Sequence, residues 1–322
     1  MHPSTTSSGG DDFYLSEFSP RDKPWDIHRS EAEQVSDRYR NTDFHEYSKR
    51  IDDCSMLLLF ILKAASDAED LRLKLQAARF CRVRHCPVCQ WRRSLMWRAR
   101  FFEAIPKVVN DYPKGRFIFL TLTVRNCPID ELRKTLDGMT MAWTRLTQRK
   151  IFPADGWIKS MEVTKGADNT AHPHFHCLLM VPPSYFSHGY ISQAKWTELW
   201  KDCLRINYTP VVNVKVVKPK VVTDNGNAKD DLASAVCETL KYGVKPSDLI
   251  ADKEWLLELT KQLYKTRAIA VGGCFRKYLS EAEPEDLVHG DEESTDTSEN
   301  DAKLAFGWNE TKKRYRKVKD PC

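Results

Sequence analysis

Trp157-Ile-Lys-Ser-Met-Glu-Val-Thr-Lys165 and His172-Pro-His-Phe-His-Cys-Leu-Leu-Met-Val181 read together as two strands and a turn. The turn holds Gly166, Asp168 and Asn169, residue types that reverse a chain tightly, so Trp157–Lys165 and Phe175–Val181 are predicted to form an antiparallel hairpin. Side chains alternate across a strand, which sends His174 and His176 to one face and Phe175 and Cys177 to the core. On the partner strand Ile158, Ser160, Glu162 and Thr164 share a face, and Glu162 is the carboxylate in that stretch. Two imidazoles one pleat apart can grip a divalent ion and leave positions open for a substrate oxygen. Glu162 is the expected third ligand, with His172 competing for the place. Such a donor set suits manganese at least as well as magnesium, which prefers oxygen. A His-x-His pair alone also fits plain surface or packing.

Around the hairpin the pattern is mixed. Arg116-Phe-Ile-Phe-Leu-Thr-Leu-Thr-Val-Arg125 is rich in β-branched and aromatic residues and predicts a central strand. Ile129, Leu132, Leu136, Met139, Trp143 and Leu146 follow at helical steps after Pro128. Ser192 is placed to cap a helix carrying Trp196, Leu199, Trp200 and Cys203 on one face. Val211–Lys218 predicts another strand, followed by a polar loop around Asp224-Asn-Gly-Asn227. A further helix is expected from about Asp230 to Tyr242, stopped by Gly243. The fold class is therefore α+β around an antiparallel sheet. On that helix Glu238 and Tyr242 are four residues apart and would share a face. A tyrosine phenolate is a nucleophile, but an ordinary phenol titrates near ~10 and needs a metal, a base or a cation such as the adjacent Lys241. Glu238 could instead activate water.

Cys81-Arg-Val-Arg-His-Cys86-Pro-Val-Cys89 brings three thiols and an imidazole into one short segment. The Cys-Pro-Val-Cys turn is half of a tetrahedral zinc site, Cys81 supplies a third ligand and Cys54 the preferred fourth, with His85 as the local alternative. Between Cys54 and Cys81 the chain is expected to fold back as a hairpin or short helix. Lys and Arg exceed Asp and Glu by 50 − 45 = +5, but unevenly. Cys81–Phe102 carries six arginines and no carboxylate, and Leu279–Ala302 carries ten acids and no Lys or Arg. The basic block suits a polyanion, with Arg82, Arg84, Arg92 and Arg93 as candidate DNA contacts together with Lys241 outside it; the acidic block suits a solvated linker. Four regions are expected: a flexible N-terminal arm (1–46), a zinc module with its basic DNA-binding segment (47–110), a catalytic domain (111–280), and an acidic linker with a basic tail (281–322). No apolar run approaches membrane-spanning length and the N-terminus lacks secretory features, so a cytoplasmic location without membrane contact is expected.

The order of cysteine module, Phe119-Leu-Thr-Leu-Thr-Val124, His172-Pro-His-Phe-His176 and Glu238-x-x-x-Tyr242 resembles the replication initiators of small rolling-circle plasmids, in the HUH endonuclease superfamily. The resemblance runs from about Arg50 to Tyr278 and includes Phe80–Arg93, Pro182-Pro-Ser-Tyr185 and Leu240-Lys-Tyr242. It implies a five-stranded antiparallel sheet flanked by helices, with the histidine-bearing hairpin at its centre and the zinc-binding cysteine module N-terminal to it. It further implies His174 and His176 as the metal pair, Tyr242 as the single nicking tyrosine forming a 5′-phosphotyrosyl adduct, and Glu238 as the carboxylate that directs terminating cleavage by water. The implied partners are double- and single-stranded origin DNA of a bacterial plasmid and the host helicase, DNA polymerase and single-strand-binding protein. Two other classes compete: a zinc-dependent DNA-binding regulator, which leaves the histidines and Glu238/Tyr242 unused, and another HUH enzyme, a transposase or relaxase. A relaxase would carry a histidine triad and an early tyrosine; Tyr14 is early, but Asp11-Asp-Phe-Tyr-Leu15 matches no such motif.

Overall fold

A computed structural model describes residues 13–64, 71–217, 231–241, 243–279, 285–288 and 302–318. The loop around Asp224–Asn227, Tyr242, and residues 289–301 of the acidic block lie outside the described residues. The chain divides into two compact units, residues 1–92 with 287–322, and residues 93–286. Helices and strands are numbered along the chain.

The first unit is built from helices α1 (Leu15–Phe18), α2 (Lys23–Tyr39) and α3 (His45–Asp52), strands β1 (Leu57–Ala64) and β2 (Leu71–Ala78), the start of α4 (Pro87–Asp111), and strands β8 (Lys303–Asn309) and β9 (Arg314–Val318). The four strands form one antiparallel sheet in the order β2-β1-β8-β9. The expected N-terminal arm is thus a helical layer. Trp25, Arg29, Ala32, Val35, Ser36 and Tyr39 recur at helical spacing and are buried. Trp25 meets Trp91, Phe60 and Tyr315 edge-on, at ring distances of 4.8, 6.4 and 6.4 Å. Buried Arg29 donates to the carbonyls of Ile51 and Asp52 at 3.1 and 2.8 Å, satisfying the C-terminal end of α3. The expected C-terminal tail is a sheet component as well. β8 pairs with β1 from Leu57↔Gly307 to Ile61↔Lys303, and the Tyr315 hydroxyl donates to the Ser55 carbonyl at 2.6 Å. The segment between Cys54 and Cys81 is the β1–β2 hairpin, one of the two expected forms.

The second unit holds the rest of α4, strands β3 (Arg116–Thr123), β4 (Gly156–Lys165), β5 (Ala171–Val181), β6 (Val212–Val217) and β7 (Ile269–Gly273), and helices α5 (Leu132–Thr147), α6 (Gln193–Leu204), α7 (Asp231–Thr239), α8 (Pro246–Ala251) and α9 (Lys253–Gln262). Its five-stranded sheet is antiparallel in the order β6-β3-β5-β4-β7, with β5 in the middle. α5 and α6 bury one face: Trp143 meets Trp157 at 5.0 Å, Trp200 meets Phe175 at 6.4 Å, and Trp200 Nε1 donates to the Thr123 carbonyl at 2.8 Å. Ser192 caps α6 by accepting from the Lys195 amide. Gly272 pairs with Trp157 because a β-carbon there would lie 2.1 Å from the indole. β7 pairs with β4 as far as Ser160, and the Met161 amide donates to the Ala268 carbonyl at 2.8 Å. Beyond it the Val163 amide donates to the Gly243 carbonyl at 2.8 Å and the Lys165 amide to Asp248 at 3.1 Å. Helix α7 ends at Thr239, short of the expected Tyr242. The Val163 amide, which has no partner on β7, is satisfied by the Gly243 carbonyl, so the chain after α7 runs along β4 rather than continuing as helix.

Candidate functional site

Strand pairing assembles the first cluster. Glu162 lies opposite His174 and Ser160 opposite His176, so carboxylate and imidazoles rise from one face of β4 and β5. Glu162 Oε2 is 2.9 Å from His174 Nε2 and 2.7 Å from His176 Nε2, and Glu162 is only 3% exposed. The ligand atoms of Glu162, His174 and His176 all fall within 4.8 Å of one another. His172 lies outside that group, its ring 5.1 Å from that of His174, and burial lowers its pKa. On β3 the Phe119 ring stacks on the His176 imidazole at 5.7 Å, and the Thr121 hydroxyl lies 3.5 Å from His176 Nδ1. These two neighbours escape motif reading, although the Phe119-x-Thr121-x-Thr123 alternation would have found them once β3 and β5 were put in register.

Burial alone would raise the Glu162 carboxyl, but hydrogen bonds from His174, His176 and Lys241 hold it well below the usual carboxylate range. Lys241 Nζ sits 2.9 Å from Glu162 Oε2 and 2.6 Å from Glu238 Oε1. Burial would lower that ammonium's pKa; the two carboxylates outweigh it and raise it. Glu238 is half exposed, with Oε1 4.0 Å from His176 Nε2. Two imidazoles and an ionised carboxylate, converging from one sheet face, fit a divalent ion with free coordination positions. Tyr242 itself lies outside the described residues, but both flanking residues are tied to β4: Lys241 at Glu162 and Gly243 at Val163.

The cysteines form a second cluster, in the other unit. Cys54, Cys81, Cys86 and Cys89 are buried, with Sγ–Sγ distances of 3.7 Å for Cys54–Cys89, 3.6 Å for Cys81–Cys89 and 3.8 Å for Cys54–Cys86. Four thiolates about 2.3 Å from a tetrahedral zinc stand about 3.8 Å apart, so the group has the dimensions of a zinc site and is too wide for disulfides. The amides of Cys81, Arg82 and Val83 point at Cys54, Cys89 and Cys81 sulfurs at 3.4, 3.3 and 3.4 Å. Burial drives the Cys86 thiol well above its ordinary pKa, a balance that a doubly charged ion would reverse. His85 stands outside the four-sulfur group: Nδ1 contacts the Tyr39 hydroxyl at 3.0 Å, and burial together with Arg84 lowers its pKa to about 3.

Two of the arginines expected to meet DNA are engaged internally. Arg92 is 4% exposed and donates to the carbonyls of Leu287 and Val288 at 2.7 and 2.8 Å. Arg93 makes a two-pronged ion pair with Glu285 at 2.6 and 3.1 Å. A guanidinium fork suits carbonyls and carboxylates as well as phosphate, and here both forks are taken up within the chain. Arg82 is exposed and Arg84 half-buried. Among the described residues no helix is long and apolar enough to cross a membrane.

The sequence profile of a family described as "Replication protein" matches residues 72–316. The chain is 33% identical to a "Protein rep" of Streptococcus pneumoniae over 92% of each chain. It is 37% identical to a "Protein rep" of Lactiplantibacillus plantarum, over 76% of this chain and 81% of that one. A "Protein rep" of Lentilactobacillus hilgardii is 31% identical over 92% and 95%. No solved structure matches.

Proposed function

The chain belongs to the Rep family of plasmid replication initiators, and from that premise we propose that it nicks one strand of the plasmid origin and later cuts and rejoins it. The observation that carries this is the buried Glu162–His174–His176 group with Lys241 and Glu238 against it and the chain tied to β4 on both sides of Tyr242. In this account the Tyr242 phenolate attacks the scissile phosphorus. The bond to the 3′ oxygen breaks, the 3′-hydroxyl is freed to prime synthesis, and the 5′ phosphate stays on the tyrosine. A divalent ion, manganese or magnesium, held by Glu162, His174 and His176 would polarise a phosphate oxygen and offset the charge developing there.

The remaining roles belong to the chain itself. Lys241, the residue before Tyr242 in the sequence, is the cation assigned to favour its phenolate. Glu162 keeps both imidazole Nε2 atoms converged and so presets the site. Glu238, half exposed and 4.0 Å from His176 Nε2, acts as general base for a water in the terminating cut, which leaves no second protein adduct. The freed 3′ end then attacks the phosphotyrosine and releases a closed single-stranded circle. The cysteine unit, with zinc as its structural ion, presents Arg82 and Arg84 to the origin duplex. The chain carries no Gly-rich nucleotide loop, so unwinding falls to a host helicase, with the host polymerase and single-strand-binding protein completing synthesis. A 3′-labelled single-stranded origin oligonucleotide tests the reaction. Label should co-migrate with denatured wild-type protein when manganese is present and remain free with Tyr242→Phe. Equal adduct in both would remove the proposed nucleophile.

A further inference from the structure

The face that carries His174 and His176 continues past them, over β3 to the sheet edge at β6. Residues directly opposite on an antiparallel ladder project to the same side. His176 faces Thr121 and Thr121 faces Asn213; one row further, Leu178 faces Phe119 and Phe119 faces Lys215. The Phe119 ring on His176 and the Thr121 hydroxyl beside its Nδ1 fix which side that is. Asn213 and Lys215 are both exposed there. The edge sequence Val211-Val-Asn-Val-Lys-Val-Val217 gives that side an amide and an ammonium and no carboxylate. Just beyond the end of β3, where Thr123 pairs with His174, the exposed Arg125 guanidinium sits over the Tyr208 ring, 4.1 Å from its centre. The Arg125 amide also donates to the Tyr208 hydroxyl at 3.2 Å, so ring and residue are locked together.

We propose that the DNA strand to be cut crosses this face from the histidines to the β6 edge, with Asn213 and Lys215 holding the backbone beside the scissile phosphate and Arg125, braced on Tyr208, holding a further phosphate. This rests on the nicking account of the same site. Asn213 stands two strands from His176, about 10 Å at the usual strand spacing, within reach of neighbouring nucleotides. The track is sequence-blind: an ammonium and a guanidinium bind phosphate whatever the base, while the Asn213 amide has both a donor and an acceptor to offer. A lysine on an edge strand also discourages edge-to-edge pairing of sheets, a role that would leave DNA affinity untouched.

Binding of a single-stranded origin oligonucleotide to the full-length, zinc-loaded protein across a range of salt separates these roles, using a Tyr242→Phe background so that nothing is cleaved. Removing one cation from the phosphates of a single strand lowers the slope of log affinity against log salt by about 0.7. Lys215→Met and Arg125→Met should each lower it by about that amount, with unchanged melting temperature, and Lys215→Arg should keep it. A methylphosphonate linkage that weakens binding of the parent protein should become silent in Lys215→Met. Unchanged slopes and an unchanged linkage pattern in both methionine variants would overturn the track. Adduct formation by the protein with Tyr242 intact is read separately: adduct together with unchanged slopes removes the track alone, and altered slopes without adduct remove the nicking account while leaving the track.

Discussion

Trp25→Ala tests whether the N-terminal residues are a folded layer of the cysteine unit. The indole is 2% exposed and meets four aromatic rings, three of them edge-on and the nearest at 4.8 Å, with the Arg92 guanidinium 5.3 Å from its centre. Removing a fully buried tryptophan costs about 3–5 kcal/mol, and edge-to-face aromatic pairs of this kind add about 0.5–1.5 kcal/mol each beyond buried area. Tyr315, which anchors the C-terminal strand to Ser55, is one of those partners, so the substitution loosens both ends of the unit. Domain stabilities run to about 5–15 kcal/mol, so the expected decrease of about 3–5 kcal/mol is a large share. A residue on a solvated arm would change stability by less than about 0.5 kcal/mol. The assay is urea unfolding followed by circular dichroism, with zinc release measured in the same titration by a colorimetric chelator. The unfolding midpoint should fall and zinc should leave at the lowered midpoint. A change below about 1 kcal/mol with zinc release unaltered would refute the packing.

Cys86→Ser should lower zinc content and solubility together, because the ion supplies folding energy to its module; folded, active protein without zinc would contradict this. Glu162→Gln keeps shape and removes the charge that Lys241 pairs with, so it should destabilise the protein by about 1.5–3 kcal/mol at neutral pH without added divalent ion. The folded-state pKa of Glu162 is depressed, so its contribution is complete above the ordinary 4.5 and lost as pH falls below that value. The gap in urea midpoint between variant and parent should therefore shrink in acid; a gap constant with pH would contradict the pairing. Glu238→Ala should still nick and form the adduct but accumulate products longer than one plasmid unit in cells, whereas single-length circles at normal yield would remove it from termination. His174→Ala should abolish manganese-dependent cleavage with little change in melting temperature, and wild-type cleavage would refute the donor set.

The hairpin with Glu162, His174 and His176 was legible because a strand's two-residue period is local: once the turn is recognised, the facing residues follow. The four cysteines were legible for a similar reason, three of them lying within nine positions. The N-terminal layer was not, because α2 buries Arg29, Asp26 and Ser36 along with its apolar residues, which blurs the stripe that marks a core-facing helix. Nor were the C-terminal strands, since β8 finds its partner β1 some two hundred and forty residues earlier and no local pattern records that pairing. Arg92 and Arg93 read as phosphate contacts because carbonyls and carboxylates are chemically similar targets for the same fork. Helix α7 ends at Thr239, and the sheet amide at Val163 makes a long-range demand that Gly243 answers with its carbonyl rather than as a simple helix stop.

Peptide mapping of the covalent adduct by tandem mass spectrometry tests the central claim most directly. Wild-type protein incubated with single-stranded origin oligonucleotide and manganese, then digested with nuclease and protease, should yield one nucleotide-bearing peptide, modified at Tyr242 and absent when Glu162, His174 or His176 is replaced. Modification at another tyrosine, or an adduct that survives replacement of all three of those residues, would contradict it.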